Sequence, residues 1–165
     1  MKRPLVIFGG LALVGVALAV LVLDKERVLT RGTPLLLELA PVDPRSLMQG
    51  DYMVLDYAIS QNIRAFGSRE DDEGRLVLRE DERGVGQLVR HDAGEPLRPG
   101  ELLLRYKVRG RRVRLGAESF FFQEGHADHY ARAKYGELRV AADGTSVLVG
   151  LRDAERQPLR PPAAP

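Results

Sequence analysis

Three groups of residues in this chain have side chains that chemistry can use. Ser46 stands just ahead of Gly50-Asp51, and Lys107 follows on a strand well downstream. A hydroxyl nucleophile and a lysine base would carry out acyl transfer, provided the amine is desolvated and neutral near pH 7. Lys107 instead sits among arginines, on a face read as solvated. The second group is His126, Asp128 and His129, with Glu124 close by. Imidazole and carboxylate are zinc donors, but two histidines three apart bring no third ligand of defined geometry. The segment reads as a solvated helix start, where Asp128 suits the positive end of the helix dipole. The third group is Arg105, Lys107, Arg109, Arg112 and Arg114. Cations in such a row make a surface for binding, not a reaction centre. No glycine-rich phosphate loop, paired-carboxylate set or nucleophile elbow accompanies them. The expectation is a protein that is not an enzyme, with no metal and no cofactor.

The basic row is positioned by a hairpin over Glu101–Gly116. A two-residue turn at Gly110-Arg111 pairs Arg109 with Arg112 and Lys107 with Arg114. Paired residues share a face. Arg105, Lys107, Arg109, Arg112 and Arg114 then lie on one side, and Leu104, Tyr106, Val108, Val113 and Leu115 on the other. Like charges directly opposite each other destabilise a hairpin, so an offsetting group is expected. The candidates are the chain's own acidic segments Glu70–Glu73 or Glu80–Glu82, anionic lipid headgroups, and the acidic surface of a protein partner. A plain solvated face is the bland alternative. Nucleic acid is not expected, because no aromatic side chains are interleaved on that face.

The remaining elements read as short strands between turn signals. Leu35–Ala40 is an apolar strand that ends at the turn bracketed by Pro41 and Pro44. Tyr52–Ser60 reads as a strand with bulky groups on both faces: Met53, Leu55, Tyr57 and Ile59 on one, Tyr52 and Val54 on the other. Leu76–Leu78 and Val85–Arg90 flank the Glu80–Gly84 turn. Ser119–Phe122 reads as a buried strand. Ala127–Tyr135 is the one helix expected beyond the N-terminus, with Gly136 as its stop. Glu137–Leu151 is a second hairpin, with Asp143-Gly144 as a type I′ turn that sets Val140 opposite Val147. Many short strands with frequent turns predict a mainly β fold: an antiparallel sandwich or barrel of about eight strands with one short helix.

Pro4 to Leu23 is a run of twenty uncharged, mostly apolar residues. As a helix it reaches about 30 Å, one bilayer core. Lys2 and Arg3 precede it, which predicts a cytoplasmic N-terminus and an outer-side domain. Ala17-Leu18-Ala19 fits a signal cleavage site, but the apolar run continues beyond it, which favours an uncleaved, single-pass anchor. The expected organisation is a cytoplasmic leader at 1–3, an inner-membrane anchor at 4–23 and a linker at 24–32. A periplasmic β-rich domain follows at 33–152, then a disordered Pro/Ala-rich tail at 153–165. The net charge of +2 points to no partner, and the absence of cysteine rules out disulfides and thiolate metal sites.

The stretch from Gly50 to Tyr57 resembles the signature of the GDYXXLXY domain family, a group of membrane-anchored bacterial proteins. Gly50, Asp51, Tyr52, Leu55 and Tyr57 occupy the signature positions. Ser119–Gly125, Tyr135–Glu137 and Val147–Leu151 are also similar to family members, so the resemblance covers most of 28–152. It implies an accessory role beside multi-pass membrane proteins, and it brings no assigned catalytic residue. A thinner likeness is to membrane-bound signal peptidases, which place a serine before a Gly-Asp turn and a lysine base several strands later. Those enzymes use Ser-Met with a longer spacing, whereas Ser46 is followed by Leu47. The leading expectation is a membrane-anchored protein that binds an integral membrane or envelope protein. The alternatives are a membrane-bound Ser/Lys hydrolase and a lipid- or small-ligand-binding β domain.

Overall fold

The N-terminal apolar run is part of a longer helix than its composition required. In the computed structural model, which describes residues 2–40, 48–49, 52–65, 72–110, 112–116 and 119–162, helix α1 spans Lys2–Arg31 without a break. The predicted linker at 24–32 is therefore helical almost to its end. Asp24-Lys25-Glu26-Arg27 are adequate helix formers, and the Thr30 hydroxyl donates back to the Glu26 carbonyl at 2.8 Å. Val28 is buried, and α1 packs on the last two strands of the fold. The helix ends where the Gly32 N–H donates to the Val28 carbonyl at 2.9 Å. The Gly32 carbonyl accepts from Arg139 Nη1 at 3.3 Å. Helix and domain are thus joined by packing and hydrogen bonds.

Beyond α1 the described strands form three antiparallel sheets around one core. The first orders β1 (Thr33–Glu38), β9 (Tyr135–Val140) and β10 (Ser146–Arg152). The second orders β2 (Met48–Gln49), β3 (Tyr52–Val54) and β8 (Ser119–Phe121). The third orders β5 (Gly86–His91), β4 (Glu73–Glu80), β6 (Glu101–Arg109) and β7 (Arg112–Arg114). Leu35, Leu37, Leu76, Leu78, Leu104, Leu115, Leu138 and Leu151 are all sealed in the shared core. The expected β-rich antiparallel class with a preceding apolar helix is what the chain adopts.

Several local expectations fail, each for an identifiable reason. Tyr52–Ser60 is not one strand: pairing stops at Val54, and Ile59–Ala65 forms a helix, α2. Ile59 and Ile63 stand four apart and both bury, a helical spacing that outweighs the strand pattern. A second short helix, α3, covers only Ala127–Tyr130, not Ala127–Tyr135. The sheet takes the rest: the Leu39 N–H donates to the Lys134 carbonyl at 2.9 Å, and the Lys134 N–H donates to the Arg152 carbonyl at 2.8 Å. Gly136 consequently lies in β9 and stops no helix.

The β6–β7 hairpin has the register read from its turn, with Arg109 opposite Arg112 and Lys107 opposite Arg114. On its loop side the β9–β10 hairpin is displaced by one residue, with Val140 opposite Ser146; a bulge between Leu148 and Gly150 restores the register predicted from the turn, with Gly150 opposite Glu137. Its loop closes through the Ala141 N–H to the Thr145 carbonyl at 2.8 Å, with Gly144 at φ 88°. That is a three-residue loop with a glycine in the left-handed region, not a type I′ pair. A one-residue slip exchanges faces, so Ser146 is buried and Val149 lies on the surface. Within the expected tail Leu159 is buried and its N–H donates to the Leu151 carbonyl at 2.9 Å.

Candidate functional site

The signature residues divide between core and surface. Gly50, Asp51 and Ser46 lie outside the described residues. Met53 and Leu55 are buried, and Tyr57 is 1% exposed. Tyr57 forms a bridge with Leu39 of the chain leaving β1. Backbone bonds tie both flanks: the Ala40 N–H donates to the Asp56 carbonyl at 2.8 Å, and the Ala58 N–H to the Glu38 carbonyl at 3.0 Å. The Tyr57 ring lies against β9 at Gly136. A Cβ there would sit 3.0 Å from Tyr57 Cε1 and 3.3 Å from Leu148 Cδ1, so only glycine leaves room for the ring. Burial pushes the Tyr57 phenol well above its ordinary range. Tyr57 is therefore a structural lock.

Tyr52 points elsewhere. It pairs directly with Phe121 of β8, ring centroids 5.7 Å apart. Strand alternation sends Phe120 and Phe122 inward, where both pack on the buried Tyr130 at 5.0 and 5.3 Å. Phe121 is left 75% exposed, so the expected buried run is buried only in part. Ser60 is fully buried nearby in the chain, so its hydroxyl offers no accessible nucleophile.

The basic row has partners within the chain. Lys107 Nζ lies 2.7 Å from Glu73 Oε2, and that hydrogen bond with its charge holds the Glu73 carboxyl below its usual range. Glu73 belongs to one of the two acidic segments expected to serve. Arg105 pairs with Asp143 at 2.9 Å, and its backbone N–H donates to the Gly144 carbonyl at 2.9 Å. Asp143 is itself held low, first by the N–H of Thr145 and then by the Thr145 hydroxyl and Arg105. On the neighbouring strand Arg75 pairs with Asp92 at 2.8 Å. Arg109, Arg112 and Arg114 extend the row along β6 and β7, with Arg112 and Arg114 exposed.

The histidine group does not converge. The His129 ring stacks edge-on against Tyr130 at 4.9 Å, and Arg132 Nη2 lies 3.4 Å from its Nδ1. A guanidinium at that distance repels a metal cation. Among the described residues no cluster of three or more histidine, aspartate or glutamate side chains is placed to hold a metal.

The profile of the family described as GDYXXLXY protein matches residues 14–151. The chain belongs to the GDYXXLXY family. Among curated proteins none matches this chain, and none among solved structures does either.

In this GDYXXLXY protein, three features escaped the reading of the sequence. Phe121 is a surface aromatic, which strict alternation along Ser119–Phe122 would have revealed. Lys25 of α1 stands beside the basic strands, and no local pattern announces that contact. Glu101 is enclosed by Arg79 at 3.3 Å, Arg90 at 2.8 Å and the Arg98 N–H at 3.0 Å. It fastens the 92–100 connection to β4 and β5, and the N–H of Arg98 is the first cause of its lowered pKa. This arrangement presents exposed cations and one exposed aromatic ring. Among the described residues it assembles no nucleophile with a base.

Proposed function

We propose that this GDYXXLXY protein is a single-pass, membrane-anchored accessory protein. Its β-rich domain acts by binding an integral membrane or envelope protein, not by catalysis. The observation that carries the reading is the aromatic pair Tyr52–Phe121. It joins a signature residue to a large apolar ring that its own core leaves exposed. Exposed aromatics of this kind anchor protein interfaces, where they supply large contact area at small entropic cost.

The anchor rests on α1, whose stretch from Ile7 to Arg31 is long and apolar enough to cross a bilayer and has its apolar window wholly exposed. Burial of Val28 favours an uncleaved anchor, since the helix then forms part of the folded domain. Lys2 and Arg3 favour a cytoplasmic N-terminus, with the domain on the periplasmic side. For the Ser/Lys hydrolase, Lys107 bound to Glu73 on an open face is a poor general base in its surroundings. An acylating reagent labelling Ser46 in wild-type protein, and not in Lys107→Met, would revive it.

The test places a photo-crosslinking amino acid at position 121 or at position 89 in cells. Both side chains are exposed, and only the first is at the signature corner. A discrete adduct from 121 and none from 89 is expected. Equal labelling from both, or none from either, removes the corner as the working surface.

A further inference from the structure

A hollow of about 650 Å³ lies between α1 and the outer face of β4, β6 and β7. Lys25, Arg75, Arg105, Lys107 and Arg114 line it, and among the described residues Glu73 is the one acid on its walls. Of these cations, Lys107 holds Glu73, Arg105 holds Asp143 and Arg75 holds Asp92. These pairs are exposed on at least one side, and salt screens such contacts. A phosphate reaching the hollow can take over guanidinium donors, which match its oxygens two at a time.

The position of Lys25 says what kind of phosphate that is. Lys25 follows the last residue of the apolar run, Leu23, by two positions. At about 1.5 Å per residue its Cα stands about 3 Å beyond the run. The headgroup layer extends about 5–7 Å beyond the hydrocarbon on each side. Helix α1 is unbroken there and is fixed to the domain by Val28 and by the Gly32–Arg139 bond. The hollow is therefore held at headgroup depth instead of swinging on a linker.

We infer that this hollow binds the phosphate of an anionic phospholipid headgroup. The inference rests on α1 as a membrane anchor and adds a ligand site distinct from the Tyr52–Phe121 corner. Bound lipid would fix the tilt of α1 and the domain together against the bilayer and so set the height at which that corner is presented.

The test uses full-length protein in a neutral detergent, titrated by calorimetry with short-chain phosphatidylglycerol, short-chain phosphatidylcholine and inorganic phosphate. Phosphatidylglycerol is expected to bind at least tenfold tighter than either of the others. Arg105→Gln combined with Arg114→Gln should weaken it tenfold or more. Lys25→Gln, on the exposed surface of α1 and unable to disturb the sheets, should weaken it threefold or more. Arg79→Gln, on the same sheet outside the hollow, should stay within twofold of wild type. No binding of phosphatidylglycerol, equal affinity for phosphatidylcholine, or wild-type affinity in Lys25→Gln overturns the site. Inorganic phosphate binding as tightly as phosphatidylglycerol overturns the lipid as its source. Alkaline carbonate washing of cell membranes tests the anchor separately: release of the chain removes the anchor, whatever the titration shows.

Discussion

The buried lock built by Leu55, Tyr57 and Gly136 and the basic face of β6 and β7 share one core but are held in different ways. The lock is fixed by shape. A fully buried ring fills the space that a glycine leaves on β9, and backbone bonds close both flanks. The basic face is fixed by alternation, which buries Tyr106, Val108 and Val113 and turns Lys107, Arg112 and Arg114 outward. Its ion pairs are solvated and decorate a sheet already held from beneath. Sequence motifs of equal clarity therefore do different work here: of the described signature residues Leu55 and Tyr57 build the domain, while the charge row faces outward. Tyr52 differs from both: it is half-buried beside the exposed Phe121.

This contrast can be broken experimentally, beginning with the ring. Tyr57→Ala should cost about 3–5 kcal/mol in chemical denaturation, as for other buried aromatics. A loss below 1 kcal/mol, on the scale of ordinary surface changes, would contradict the lock. Gly136→Ala should cost about 1–3 kcal/mol through overpacking. In a Tyr57→Leu background that penalty should shrink, with a coupling of at least about 0.5 kcal/mol; simple additivity would show that ring and glycine do not meet. Gly144→Ala should cost about 1–3 kcal/mol. Its φ is 88° and a Cβ would approach the Arg105 backbone nitrogen at 3.1 Å. Its thermal midpoint should fall accordingly.

Acid should expose a smaller effect. Asp81 closes the turn between β4 and β5 by accepting the N–H groups of Val85 at 3.0 Å and Arg83 at 2.8 Å. The Val85 bond is the leading cause that lowers its pKa from 3.8 to about 2. Because the folded value lies below the unfolded one, the stabilisation is complete above about pH 4. It is lost as the pH falls through about 2. The Val85 amide should titrate with that low midpoint in NMR spectra, and Asp81→Asn should abolish the step; a midpoint near 4 would deny the turn its role. The smallest change is expected from Lys107→Gln with Glu73→Gln. That pair of substitutions should leave the melting temperature where it was. A clear drop would mean that the basic face is structural after all.

The parts of the fold legible in the sequence are those governed by one short-range rule. The β6–β7 register follows from its turn and from alternation, and nothing distant disturbs it. The β9–β10 register does not, because Asp143-Gly144 suits both a two-residue and a three-residue loop. The choice falls to contacts with Arg105 of the neighbouring sheet and to Asp143 accepting from Thr145. Helix α3 ends early because β1 and β10 claim the backbone of Lys134, which are partners far away in sequence. The site follows the same division. The charge row was readable as a face, but its neighbour Lys25 arrives from a helix whose packing no local pattern encodes. Phe121 was hidden by reading three adjacent phenylalanines as one hydrophobic unit when they alternate.

The central claim is that the domain works through its signature corner and not through a Ser/Lys pair. The most direct measurement compares, in the same membranes and at matched protein levels, how much partner is crosslinked by Tyr52→Ala/Phe121→Ala and by Ser46→Ala/Lys107→Gln. The crosslinker would sit at a neighbouring exposed position, Gln123. The first pair should lose the adduct by tenfold or more and the second should keep it within twofold. Loss of the adduct in the second pair, with the first unchanged, would contradict the claim.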